Sequence, residues 1–225
     1  MKTYKIHFIR HGLTESNVLG KYIGHTDEPL SQDGAAQIQQ MCDDYIYPTV
    51  DAVFSSPLSR CTETAKIIYP NNIPIELEGL KECNFGEFEN KTAEELENHP
   101  AFSKWLEGAS NIKPPFGESN EEFAYRICSC FEKIVEGIMK TGTRSTAIVT
   151  HGGVIMTLLS AYGIPEAPVH EWLTPSGCGF TVMITPSIWM RGQKFEIIQE
   201  IPLVPQSDSE YNENEDFFDA ISFEI

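Results

Sequence analysis

Short apolar runs alternate along this chain with longer segments whose apolar residues recur every three or four positions, the signature of strands interleaved with helices. The first run, Tyr4-Lys5-Ile6-His7-Phe8-Ile9, predicts a buried strand that delivers Arg10, His11 and Gly12 at its end. After a loop-like stretch at 24–31, Ser31-Gln32-Asp33-Gly34 leads into a helix on which Ala35, Ile38, Met41, Cys42 and Tyr45 form one apolar face; Pro48 closes the segment. A second strand is expected at 52–55. Ser56-Pro57 reads as a capping residue followed by proline at the first helical position, with Leu58, Cys61, Ala65 and Ile68 as the buried stripe.

A short third strand is expected at 73–77, followed by a loop dense in carboxylates at 78–89. Weak helical patterns at 92–98 and 101–107, broken by Pro114, Pro115 and Gly117, mark 85–116 as a helical insertion. Ser119-Asn120-Glu121-Glu122 has the reciprocal capping pattern, and Phe123, Ile127, Cys130, Phe131, Ile134 and Ile138 follow at helical spacing, which makes this the clearest helix of the chain. A strand at 146–150 then delivers His151-Gly152-Gly153 before an apolar helix at 154–162, so the opening arrangement recurs. Two last strands, at 180–185 and 195–201, are expected to pair antiparallel across 186–194. Such alternation defines an α/β domain around a mostly parallel sheet. The domain is expected over 1–205, with 206–225 as an acidic tail.

Composition narrows the class. With 225 residues, 41% hydrophobic and 22% charged, the chain has the make-up of a folded soluble protein, and no apolar run approaches the roughly 20 residues of a membrane span. The opening residues lack the pattern of a signal peptide, so a cytoplasmic location is expected. Cysteines 42, 61, 83, 128, 130 and 178 are irregularly spaced and read as reduced thiols. Cys128 and Cys130, two apart on a helix, face different directions, and no metal site is expected. A formal net charge of -17 argues against a nucleic-acid partner and makes any anion site depend on a local concentration of arginine, histidine and backbone N–H groups. From 207 onward there are seven Asp or Glu and no Lys or Arg, a solvated tail in which Phe217, Phe218, Ile221 and Phe223 could dock on the domain or on another subunit. Monomer and homodimer both stay open.

Ligands of α/β domains lie beyond the carboxyl ends of the parallel strands. Three groups leave strands at that edge: Arg10-His11, Ser55-Ser56-Pro57 leading to Arg60, and His151-Gly152. Taken singly each has a bland explanation, since a lone histidine beside a glycine is more often a hydrogen-bonded structural residue. Arg60, in the opening turn of a helix, opposes the helix dipole and is either solvated or a phosphate ligand; the helix alone favours the surface. Two strand-His-Gly elements and an arginine at a helix start together point to a phosphate site.

Arg10-His11-Gly12 with Thr14 and Asn17 resembles the signature of the histidine phosphatase superfamily, in its phosphoglycerate mutase-like branch. The similarity continues in order through Gly24-His25-Thr26-Asp27-Glu28-Pro29-Leu30, Ser55-Ser56-Pro57-Leu58-Ser59-Arg60, Glu82 with Phe85-Gly86, Gly117-Glu118-Ser119 and Thr150-His151-Gly152-Gly153, roughly residues 4–185. The resemblance implies a three-layer α/β/α sandwich whose insertion forms a lid. It implies His11 as the nucleophile of a phosphohistidine intermediate, Arg10, Arg60 and His151 as a cationic pocket, and Glu82 as general acid and then base. Asn17, Thr14, Gly24, Thr26 and Gly152 become substrate contacts, with no cofactor and no metal. The attacking imidazole must be neutral whereas His151 serves best as a cation or donor, so the two are expected to titrate differently.

Without the resemblance Glu82 is not separable from Glu78, Glu87 or Glu89, and a solvated acidic loop remains the reading of the last two. Cys61 and Cys83 read as packing residues, with a redox switch as the remoter alternative. Leu13 stands where many relatives carry Glu, and Asn90 where many carry Gly, which bears on contacts at the pocket mouth. The implied function is a metal-independent phosphomonoesterase acting on a small phosphorylated metabolite. The loop at 24–30 and the stretch 115–119 are similar to those of alpha-ribazole phosphatases, so alpha-ribazole 5′-phosphate is a candidate substrate, although broad-specificity relatives share both. Mutases of the family usually carry a longer insertion. A cofactor-dependent phosphoglycerate mutase and a catalytically silent phospho-ligand-binding protein are the alternatives.

Overall fold

Strand β1 (Tyr4–Arg10) lies in the middle of the sheet, with Tyr4, Ile6 and Phe8 buried on one face and His7 and Ile9 buried on the other. The computed structural model describes residues 2–107 and 112–205; the tail expected over 206–225 and residues 108–111 of the insertion lie outside the described residues. After β1 come α1 (Glu15–Val18), α2 (Gln32–Asp44), β2 (Ala52–Ser55), α3 (Ser59–Ile68), β3 (Ile75–Glu76), α4 (Ala93–Leu96), α5 (Phe102–Leu106) and α6 (Asn120–Thr141). Then follow β4 (Ser145–Thr150), α7 (Gly152–Tyr162), β5 (Gly163–Ile164), β6 (Gly179–Ile184), α8 (Pro186–Gly192) and β7 (Phe195–Ile201).

The seven strands are ordered β3-β2-β4-β1-β6-β7-β5. β1 pairs with β4 in parallel, with Arg10 opposite Thr150, so His11 and His151 leave adjacent strands at the same edge. β2 runs parallel to β4 with Ser55 opposite Val149, which brings the approach to α3 to that edge as well. β6 is antiparallel to both β1 and β7, and β5 is parallel to β7; the sheet is therefore mostly parallel, as predicted. Tyr4, Ile6, Phe8 and Ile148 pack against Phe131, Ile134, Val154 and Leu158 of α6 and α7 on one face. Ile9, Val53, Ala147 and Val149 meet Cys61 and Ala65 of α3 on the other. Burying each of the larger side chains contributes roughly 1.5–3 kcal/mol before conformational entropy is subtracted.

The alternation of strands and helices holds, with three local differences. α3 starts at Ser59 with Leu58 at its cap position and no side-chain cap, and Ser56 lies before it, its hydroxyl 2.8 Å from His151 Nε2 and accepting from the Leu58 N–H at 3.4 Å. β3 is only two residues long. Residues 186–192 form a helix that the alternation pattern did not indicate, with proline in its first turn and Gln193 in the left-handed region at its end. Among its described residues the insertion holds two short α-helices and a 3₁₀ turn at Gly86–Phe88, and Phe88, Leu96 and Phe102 form a small core against Tyr22, Phe85 and Trp105. A bridge from Lys21 to Thr92 and backbone bonds of Tyr22 with Asn90 and Lys91 fasten it to the segment after α1.

Candidate active site

The end of β1 sets the tautomer of His11. Its Nδ1 lies 2.7 Å from the Gly12 carbonyl oxygen, which can only accept, so Nδ1 carries the proton and Nε2 keeps a free lone pair. The ring is buried, and its pKa is held well below the ordinary histidine value by desolvation, then by the charges of Arg60 and Arg10, against the opposing Gly12 bond. At neutral pH His11 is thus an uncharged base with one nitrogen available. Arg10 donates through Nη1 to the Thr174 carbonyl at 2.7 Å, while its buried Nε has no hydrogen-bond partner among the described residues.

Arg60 is 1% exposed, so the surface reading drawn from its helix alone is overturned. Its Nη1 donates to the Thr26 carbonyl at 2.9 Å and its Nη2 to the Gly24 carbonyl at 2.7 Å, leaving a buried, unpartnered Nε. Two buried guanidinium Nε–H groups without partners among the described residues are unsatisfied donors that an anion could satisfy. His151 is fully buried, with ring centroid 5.1 Å from that of His11, and its Nε2 lies 2.8 Å from Ser56 Oγ. Its pKa is also held well below the ordinary value, by desolvation first and then by His11, Arg60 and Arg10. Burial and the shared arginines thus push both histidines in the same direction, toward the neutral ring. Cys61, against His151, has its thiol pushed up to about 12 by burial, which leaves it a packing residue and not a redox-active thiolate.

Glu82 approaches from the loop after β3. Its oxygens accept from the Cys83 and Gly153 N–H groups, each at 2.9 Å, yet desolvation outweighs those bonds and the arginine charges and raises its pKa above the usual carboxylate value. The loop is held by Arg126 of α6, which donates to the carbonyls of Gly79, Lys81 and Glu82 and forms a two-pronged pair with Glu118 at 2.7 Å on each prong. Arg126 escaped the sequence reading, and its spacing of eight residues from Glu118 along the start of α6 is the signal that could have found it.

Glu89 is not part of a solvated loop, contrary to expectation. Its carboxylate accepts from the N–H groups of Gly24 (3.0 Å), His25 (2.8 Å), Thr26 (3.2 Å) and Phe85 (3.1 Å). Glu87 is exposed, as expected.

A cleft of about 360 Å³ is lined by Arg10, His11, Asn17, Glu82, Gly152 and Gly153, and by an apolar wall that includes Tyr22, Phe85 and Trp105; Arg60 and His151 are buried and are not among its lining residues. The insertion supplies Phe85 and Trp105 to that wall, and Lys21 also lines the cleft. Asn17 accepts the Thr14 N–H on its Oδ1, which leaves its amide nitrogen for the cleft. Thr14, Gly24 and Thr26 do not line it: Thr14 caps α1, and the other two hold Arg60 through their carbonyls. Among the described residues no cluster of three His, Cys, Asp or Glu side chains is arranged to hold a metal, and no helix is long and apolar enough to cross a membrane.

A mostly parallel sheet with paired histidines and arginines at one edge defines an anion-binding α/β enzyme scaffold, and residues 6–185 match the Histidine phosphatase superfamily (branch 1). The chain belongs to that family. It is similar to a broad-specificity phosphatase of Saccharomyces cerevisiae, 31% identical over 205 residues that cover 88% of this chain and 84% of the relative. An adenosylcobalamin/alpha-ribazole phosphatase of Salmonella typhimurium is 27% identical over 180 residues, 77% of this chain and 87% of that one. The crystal structure of the alpha-ribazole phosphatase from Shigella flexneri superposes with a TM-score of 0.77 over 91% of this chain and 100% of that chain at 22% identity, which establishes the common fold.

Proposed function

We propose that this protein is a metal-independent phosphatase that hydrolyses a small phosphomonoester through a phosphohistidine on His11. The observation that carries the reading is the His11 ring: Nδ1 is tied to the Gly12 carbonyl, so Nε2 is the free, uncharged nucleophile beside two arginines with unused buried donors. In the first step Nε2 bonds to phosphorus and the ester P–O bond breaks. Glu82, whose raised pKa favours the carboxylic acid, gives its proton to the departing alkoxide. The Gly12 carbonyl then faces the Nδ1–H of a cationic ring, which it stabilises. In the second step the Glu82 carboxylate takes a proton from water, the new hydroxide oxygen bonds to phosphorus and the P–N bond breaks, releasing inorganic phosphate. Arg10 and Arg60 meet the charge on the phosphoryl oxygens, with His151 and Asn17 as further donors.

The apolar wall of Tyr22, Phe85 and Trp105 suits a leaving group with a flat apolar surface better than a carboxylate. Together with the named activity of the Salmonella relative, it makes alpha-ribazole 5′-phosphate the first substrate to test. Wild type and His11→Ala should be assayed against alpha-ribazole 5′-phosphate, p-nitrophenyl phosphate and 3-phosphoglycerate with a chelator present. Phosphate release by the wild type alone is expected. Release that survives the substitution or vanishes on chelation would contradict the mechanism, isomerised phosphoglycerate would indicate a mutase, and tight binding without turnover would indicate a binding protein.

A further inference from the structure

Glu89 lies outside the reacting groups, yet one peptide unit joins it to them. The His25 N–H donates to Glu89 Oε1 at 2.8 Å, and the Gly24 carbonyl of that same peptide accepts from Arg60 Nη2 at 2.7 Å. The carboxylate and the guanidinium are thus bonded to opposite ends of a single amide. Each bond polarises the amide in the direction that strengthens the other. The Gly24 and Thr26 N–H groups donate to Glu89 Oε2 at 3.0 and 3.2 Å, and the Thr26 carbonyl accepts Arg60 Nη1 at 2.9 Å. The loop is also pressed against its surroundings, since a Cβ at Gly24 would stand 1.8 Å from the Cys83 carbonyl oxygen. With one N–H of each Nη fixed in this way, the guanidinium plane is held, and Nε–H and the second N–H of each Nη remain for an anion.

We propose that Glu89 is a positioning residue for Arg60, forming with it an indirect ion pair through the Gly24–His25 peptide that orients the remaining guanidinium donors toward the phosphoryl group. The proposal rests on the phosphatase reading for the identity of that group. It also couples the insertion to the anion site, because the Phe85 N–H donates to Glu89 Oε1 and Phe85 belongs to the aromatic wall.

The test is a double-mutant cycle of Glu89→Gln and Arg60→Ala, read by kcat/KM with p-nitrophenyl phosphate, by inhibition with vanadate, and by calorimetric binding of inorganic phosphate. An amide at 89 turns a donor toward two backbone N–H groups, so the loop should shift and Arg60 with it. Glu89→Gln is expected to lower kcat/KM and vanadate affinity by about 10–100-fold in the wild-type background, since a misplacement near 1 Å costs about that much. In the Arg60→Ala background the same change should cost less than about threefold. Equal losses in both backgrounds, or no loss in the first, would overturn the proposal. Should Glu89→Gln fail to fold, Glu89→Asp keeps both oxygens on a shorter arm and carries the same comparison. Phosphate binding reports the placement of Arg60 even without turnover, so a wild type that binds phosphate but hydrolyses nothing counts against the function and leaves the linkage to be judged by the cycle.

Discussion

At the scale of single residues the site works by holding ionisable groups away from their ordinary charge states. His11 is kept neutral below the usual histidine range and Glu82 is pushed toward its acid form. The acid limb of kcat/KM should therefore lie well below pH 6.5, and activity should fall as pH rises through the elevated Glu82 pKa. Glu82→Gln should lower kcat by about 10²–10⁴-fold and flatten that alkaline limb, as a pH-rate profile would show. A variant that keeps the limb would exclude Glu82 as the acid. His7 extends the same physics to stability. Burial, with a smaller contribution from Lys5, lowers its pKa to about 4. Between that value and about 6.5 the unfolded chain takes up a proton that the folded one refuses, so stability is lost as pH falls through this window. Roughly 2 kcal/mol should disappear between pH 7 and pH 5 on this account alone. Urea unfolding of wild type and His7→Gln at both pH values should show a smaller loss in the variant.

At the scale of elements, strand ends and one glycine determine what meets what. Gly153 opens α7 so close to Glu82 that a Cβ there would lie 2.4 Å from its Oε1. Gly153→Ala should cut kcat/KM by about 100-fold while leaving the melting temperature unchanged or raised, because alanine favours the helix by up to about 1 kcal/mol. Equal losses in melting temperature and activity would show that the glycine serves folding instead. The meeting of Arg10, His11 and His151 was legible in the sequence, because the apolar runs that end at those residues mark adjacent parallel strands. Arg60 was legible only through the family resemblance, since its burial depends on the carbonyls of Gly24 and Thr26, far away in the chain. Glu89 was misread because its four N–H partners come from two loops with no periodicity. Ser56 looked like a helix cap, but the helix starts three residues later and the shorter contact of its hydroxyl is the tertiary one with His151.

For the whole molecule, a formal charge of -17 surrounds a site that must receive an anion. The long-range field repels the substrate, whereas half-buried Arg10 and buried Arg60 are less affected by salt than exposed charges. Raising ionic strength from 0.01 to 0.1 M, which shortens the Debye length from about 30 to about 10 Å, should therefore raise kcat/KM, by less than about tenfold. A steep fall would mean that exposed cations dominate capture. The central claim is the covalent step on His11, and it is tested most directly by rapid-quench mass spectrometry and phosphorus NMR of the enzyme during turnover at alkaline quench. The account predicts one phosphoryl group on His11, attached at Nε2, and absent from His11→Ala. Turnover without a phosphoenzyme, or a phosphoryl group on any other residue, would contradict it.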